Sequence, residues 1–187
     1  MNIKSIAKNL VGAFRCKRNH LEIDKGANIY IGKQVKIHGG KNITVGDKVS
    51  IRPGAEIWCS EGQIQIGAGT DIGTRCRFSV INRLEIGKNV LFSPNVYITD
   101  CDHAYADVTK PVMCQGVVQK DNRVSIGDGA YIGINAVIVG NVTIGKGSVI
   151  GANSVVTKDI PDFCVAVGAP AKVIKKYDQE TGGWVKA

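Results

Sequence analysis

The 187-residue chain predicts an all-β fold, a prism of about six stacked triangular coils, and three observations predict it. Six segments share an apolar–any–apolar pattern, usually followed by Gly: Leu21-Glu22-Ile23-Asp24, Ile43-Thr44-Val45-Gly46, Ile64-Gln65-Ile66-Gly67, Leu84-Glu85-Ile86-Gly87, Val124-Ser125-Ile126-Gly127 and Val142-Thr143-Ile144-Gly145. From the third residue of each, apolar side chains recur every six positions: Ile23, Ile29, Val35; Val45, Ile51, Ile57; Ile66, Ile72, Phe78; Ile86, Phe92, Ile98; Ile126, Ile132, Ile138; Ile144, Ile150, Val156. Lastly, 23 glycines and only 6% aromatic residues suit a chain of tight turns and thin β-layers better than a helical bundle.

A period of six is neither the 3.6 of a helix nor the 2 of a flat two-layer strand. Three hexads close one coil, each side a short strand and each corner a turn. The recurring Ile or Val points inward and stacks on its counterpart in the next coil. Small residues four places on, such as Ala55, Thr70, Cys76, Ala130, Ala136, Ser148 and Ser154, fit the narrow interior. Six coils at the strand spacing of about 4.8 Å give a prism roughly 25–30 Å tall.

Taken in order, residues 1–20 read as an N-terminal helical cap. Met1 to Arg15 places Lys4, Lys8 and Arg15 among Ile3, Ile6, Leu10, Val11 and Phe14, an amphipathic helix pattern without the apolar run of an export signal. That helix either closes the open end of the prism or rests on an anionic membrane surface. The prism follows over 21–161. Its coil starts are 22, 21, 20, 40 and 18 residues apart, so the surplus falls at corners and the largest, 104–123, is a protruding loop. Residues 162–187 form a C-terminal segment.

The chain is 44% hydrophobic, which excludes disorder throughout, and no stretch approaches the ~20 apolar residues of a membrane-spanning helix. A net charge of +8 attracts polyanions, whether nucleic acid, an anionic membrane face or a phosphorylated ligand. Six cysteines without a C-x-x-C pair lack the spacing of a zinc ribbon or redox motif. They read as reduced thiols, with Cys76 as core filler.

General acid–base chemistry points to histidine, of which there are three. His20 precedes the first coil beside Lys17 and Arg18 and reads as solvated. His38, in His38-Gly39-Gly40, reads as a surface turn residue. His103 ends the hexads before the long loop, a rigid edge beside a long insertion. Asp100, Asp102 or Asp107 would orient its imidazole, or His103 is a turn residue paired with those carboxylates; spacing alone leaves both open.

The segments Tyr97-Ile98-Thr99-Asp100-Cys101-Asp102-His103-Ala104-Tyr105, Pro111-Val112-Met113-Cys114-Gln115-Gly116 and Ile126-Gly127-Asp128-Gly129-Ala130-Tyr131-Ile132-Gly133, with the closing Gly151–Pro161 and Gly168–Ile174 stretches, resemble hexapeptide-repeat O-acetyltransferases. The likeness is to enzymes that acetylate bacterial polysaccharide sugars (O-antigen, capsule or exopolysaccharide), and galactoside and maltose acetyltransferases share the core pattern. It covers roughly Ile64 to Lys175. The resemblance implies a left-handed parallel β-helix, where parallel crossovers in general are right-handed.

It also implies an acetyl-CoA-dependent sugar O-acetyltransferase, cytoplasmic and homotrimeric, with His103 as base, Asp100 and Asp102 as its partners, and no catalytic metal. Acetyl-CoA would lie between subunits, against Tyr131 (where the family commonly has Trp), Gly133, Ala152, Thr157, Lys158 and Lys175. The two lysines would meet CoA phosphates, so that no nucleic acid is needed to explain the charge. Arg77, Ser79, Asn82, Tyr105 and Asp107 are the candidates for holding the sugar acceptor. A family asparagine that positions the acceptor maps near Arg77 or Ser79, with Asn82 as its substitute, and an arginine there would suit an acidic or phosphorylated glycan. Asn95 fits the family pattern and reads as shaping a turn. A peripheral contact with the inner membrane face would suit a lipid-linked acceptor.

The alternatives are N-acetylation of a nucleotide-linked aminosugar, a zinc carbonic anhydrase on the same scaffold, and a non-catalytic binding module. The anhydrase needs three converging imidazoles, and His20 and His38 lie too many coils from His103. The module would lack the loop histidine.

Overall fold

The computed structural model describes residues 11–12, 14–23, 26–118 and 120–187. Of the expected N-terminal helix, Met1 to Leu10 lie outside the described residues. The described part is helical at 11–12 and 14–18. Cys16 is buried there with the core, and a Cβ on Gly12 would collide with the Ile29 carbonyl oxygen, so the backbone of this helix runs directly against the first coil.

The chain winds as a left-handed parallel β-helix with three faces. The first face stacks Glu22–Ile23, Ile43–Val45, Gln63–Ile66, Arg83–Ile86, Arg123–Ile126 and Val142–Ile144. The second stacks Tyr30–Ile31, Ser50–Ile51, Asp71–Ile72, Leu91–Phe92, Tyr131–Ile132 and Val149–Ile150. The third stacks Lys36–His38, Glu56–Cys59, Arg77–Val80, Tyr97–Thr99, Val137–Val139 and Val155–Val156. Six complete coils result. A partial seventh goes beyond residue 161: Ile160 bridges Ile144, and Cys164–Gly168 lies parallel to Val149–Ile150. Two antiparallel strands, Ala171–Asp178 and Gly183–Lys186, then widen the second face beyond the prism.

Short strands hold because each buries its alternate residue against the coils above and below. From the second coil onward, every inward residue of the six-residue period is buried, and Phe78 and Phe92 of neighbouring coils pack at 5.4 Å between ring centroids. The small residues at the corners, Ala55, Thr70, Cys76, Ala130, Ala136, Ser148 and Ser154, are buried as well. Thr70 and Ser148 satisfy their hydroxyls on the carbonyls of Gly87 and Pro161.

The first coil departs from the expected register. Ile51 stacks on Ile31, not Ile29, and Ile57 stacks on Ile37, not Val35. The chain from Ile23 to Ile31 is two residues longer than that from Val45 to Ile51, which moves every later residue of that coil by one full pleat. Ile23 itself pairs with Val45 but is exposed at the end of the stack.

All six cysteines are free thiols. Burial pushes the Cys59 and Cys76 thiols up to about 11. Brief alkylation at mildly alkaline pH, read by mass spectrometry, is therefore expected to label exposed Cys114 first and Cys101 next. Cys59 and Cys76 should stay unmodified until the protein is unfolded.

Candidate functional site

The corner between the third and first faces is where the long loop leaves the prism. Thr99 shapes the exit, its hydroxyl donating to the Cys101 carbonyl at 3.2 Å. Asp100 turns inward and is fully buried. Its carboxylate accepts the Ile81 N–H at 2.9 Å and those of Asn82 and Arg83 at 2.7 Å each. Asn141 and Asp159 accept amides of Arg123 and Thr143 at the same corner of later coils. Asp100 is thus a corner clamp of the scaffold and is not the partner of His103.

Beyond it, the chain forms an antiparallel arm. His103 bridges Val117, the Ala104 N–H donates to Gly116, and the Val118 N–H donates to Asp102. On the returning side, the Asn122 side chain donates to the Asp100 carbonyl at 2.9 Å and closes the base of the loop. The tip is organised by Gln115, whose amide donates to the carbonyls of Asp107 and Lys110 and whose oxygen accepts the Asp107 N–H. The Asp107 carboxylate is held by Thr109 and Lys110, which lower its pKa below the usual carboxylate range. Asp107 is therefore committed to folding the loop, and neither orients His103 nor has its carboxylate free for an acceptor.

His103 stands exposed on this arm, and among the described residues its imidazole makes no hydrogen bond. Its own backbone N–H donates to Asp102 Oδ1 at 2.8 Å, leaving the other carboxylate oxygen of Asp102 without a partner among those residues. Beside the arm runs a groove of about 610 Å³, bounded by Asp102, Ala104, Tyr105, Val118, Asn122 and Gly140. Asn122 and Gly140 carry no sequence signal that marked them. They stand out only because the loop returns to this corner.

The remaining candidates divide between edges. Arg77 and Ser79 lie on the outside of the third face, and Asn82 sits at the corner one coil before Asp102. Thr157 and Lys158 are exposed at the same third-to-first corner, two coils beyond His103. Gly133 and Ala152 occupy the second-to-third corner instead, and Tyr131, on the second-face strand leading into it, has its hydroxyl 3.0 Å from Ser93 Oγ. Gly133 is small because of its own scaffold: a Cβ there would lie 2.7 Å from the Ala152 backbone nitrogen. Lys175 is exposed on the strand that widens the second face. Asn95, at φ 61°, shapes its corner and joins a ladder from Arg75 through Asn135 to Asn153, each hydrogen bond 3.0 Å. His20 and His38 belong to the start of the prism, so the three imidazoles do not converge.

An unencumbered imidazole, on an arm whose neighbouring residues Asp102 and Ala104 line an open groove, can take a proton from a bound hydroxyl. Residues 123–158 match the bacterial transferase hexapeptide (six repeats) family. A probable acetyltransferase of Mycobacterium tuberculosis is 37% identical over 153 residues, 79% of this chain and 49% of that protein. The chain spans about half the length of the first curated relatives it matches. A maltose O-acetyltransferase from Clostridium difficile superposes with a TM-score of 0.55 at 27% identity, over 95% of this chain and 90% of that one. The N-acyltransferase AntD from Bacillus cereus, in complex with dTDP and 3-hydroxybutyryl-CoA, shares the fold with a TM-score of 0.74 at 21% identity, over 90% of each chain.

Removing the corner clamp tests its assignment. Asp100→Ala leaves three amides without their acceptor and is expected to lower stability by about 3 kcal/mol, measured by urea denaturation.

Proposed function

This chain belongs to the bacterial hexapeptide-repeat transferase family, and from that premise we propose that it is an acetyl-CoA-dependent O-acetyltransferase acting on a sugar hydroxyl of a bacterial surface polysaccharide or its precursor. One observation carries the reading. The His103 imidazole is exposed and free of hydrogen bonds among the described residues, its chain neighbours Asp102 and Ala104 line a groove of about 610 Å³, and the corner from which this arm leaves also carries Thr157 and Lys158.

In this reaction His103 removes the proton from the acceptor hydroxyl as its oxygen attacks the thioester carbonyl. The new C–O bond gives a tetrahedral intermediate, whose oxyanion requires a donor such as a backbone N–H. Collapse breaks the C–S bond, and the imidazolium returns its proton to the departing sulfur. The products are an acetyl ester and free CoA. Asp102, one of whose carboxylate oxygens accepts the His103 backbone N–H while the other has no partner among the described residues, is the remaining acidic candidate beside His103.

The cofactor candidates lie on two different edges of one prism, with the third face between them. A homotrimer would resolve this by placing the His103 edge of one subunit against the Tyr131–Gly133–Ala152 edge of the next. Lys158 and Lys175, exposed and outside any ion pair among the described residues, supply positive charge for CoA phosphates. A cytoplasmic enzyme working at the inner membrane face fits a lipid-linked acceptor.

The fold likeness to an N-acyltransferase keeps a second reading, acetylation of an aminosugar carried on a nucleotide. Purified protein given acetyl-CoA with either hydroxyl sugars or amino sugars separates the two by which set releases CoA.

His103→Ala is expected to fold and to bind acetyl-CoA while turnover falls at least ~10²-fold. Near-normal turnover would discard the base. Lys158→Glu is expected to raise the KM for acetyl-CoA about threefold or more with kcat little changed. An unchanged KM would remove that contact.

A further inference from the structure

Outside the third face, the strands present two columns of side chains. Nearer the second face run Lys36, Glu56, Arg77 and Tyr97 in register, and nearer the His103 corner run His38, Trp58, Ser79 and Thr99. Trp58 is 45% exposed although it lies in the middle of a stack whose inward neighbours are sealed. It contributes nothing to the interior. Its indole stacks on the His38 ring, centroids 3.9 Å apart and planes 29° from parallel, so one face is covered and the ring is held in place. The next residue in the column is the small Ser79, followed by Thr99, which is buried, and then by the exit to Asp102 and His103. Toward the His103 corner, the column therefore goes from a fixed aromatic plane to the small side chain of Ser79.

In the neighbouring column Lys36 takes Glu56 at 2.7 Å, and Arg77 has no hydrogen-bond or ion-pair partner among the described residues. A guanidinium outside any ion pair among the described residues thus stands on the same outer face as Ser79, in the neighbouring column.

We propose that Trp58, stacked on His38, is a glycan platform that holds one residue of an acidic oligosaccharide acceptor while a neighbouring residue reacts at His103. This rests on the sugar-acetyltransferase reading and adds the acceptor's class to it. A pyranose has an apolar C–H face, which covers an aromatic plane, and a rim of hydroxyls, which needs donors and acceptors. The indole supplies the first, and Ser79 and Arg77 supply the second. Arg77 further selects a carboxylate on the sugar, with which a guanidinium pairs in bidentate geometry. Two coils separate Trp58 from the coil that leads into His103, about 10 Å at the strand spacing. A single sugar cannot occupy both places, and a short oligosaccharide can.

The experiment uses Trp58→Ala and Trp58→Phe in the full chain, with folding checked by circular dichroism. Binding is read on an array of bacterial surface oligosaccharides, neutral and uronate-containing. CoA release is read with acetyl-CoA and either single-sugar or oligosaccharide acceptors. The expected result is preferential binding of uronate-containing oligosaccharides, weakened about tenfold in Trp58→Ala and largely restored in Trp58→Phe. The KM for acetyl-CoA and the turnover of single sugars should not change. Equal glycan binding by the parent and Trp58→Ala would overturn the platform, as would an array that the parent protein ignores. A Trp58 dependence confined to nucleotide-linked sugars and relieved by free UDP or dTDP would overturn it in favour of a nucleobase. Trp58-dependent array binding without acetyl release on any hydroxyl acceptor would support the platform and fault the O-acetyl reading instead.

Discussion

The structure depends on one constraint: an inward Ile, Val or Phe is sealed only when the next coil stacks on it in register. No single coil of three short strands could bury its apolar residues, and each gains its interior from its neighbours. The corners adapt to this stacking. At the second-to-third corner, Arg75, Asn95, Asn135 and Asn153 take left-handed backbone conformations, and asparagine side chains tie one coil to the next. At the third-to-first corner, acceptor side chains do that work, with Asp100, Asn141 and Asp159 each capturing an amide of the coil before.

This second kind of corner explains how the prism tolerates its long insertion. Ile86 and Ile126 are 40 residues apart, yet they pair as directly as Ile66 and Ile86. Asp100 secures the coil before the chain departs, and Asn122 reattaches it on return. The arm pairs with itself between Asp102 and Val118, and Gln115 ties its tip, so a loop of this length carries less freedom than its residue count suggests. His103 inherits that order. Its backbone belongs to the arm and its imidazole is exposed, so this side chain is held in place without being used by the fold.

The division of side chains follows from the same geometry. Inward positions hold the scaffold together, and chemistry falls to outward columns and to corners. Trp58, Arg77 and Ser79 share an outer surface with the His103 edge because strands of consecutive coils lie in register, not because they are close in the chain. The basic charge is distributed on this exterior too, with Lys158 and Lys175 exposed on separate edges.

Periodicity made the prism legible from residues alone, since six-residue spacing of apolar side chains is itself a geometric statement about triangular coils. It also found the small corner residues and the position of the protruding loop. Local spacing could not detect that two extra residues between Ile23 and Ile31 shift the first coil, placing Ile31 and Ile37 under Ile51 and Ile57. Nor could it separate Asp100, Asp102 and Asp107, which are alike in sequence and differ only in what surrounds them: three backbone amides of the coil before, an open groove, and a loop's own turn. The repeat and the candidate base were determined by the order of residues. Which carboxylate serves the scaffold, and which aromatic shares an outer column with Ser79 and Thr99, was decided by tertiary stacking, because coils bring together residues some 20 to 40 positions apart.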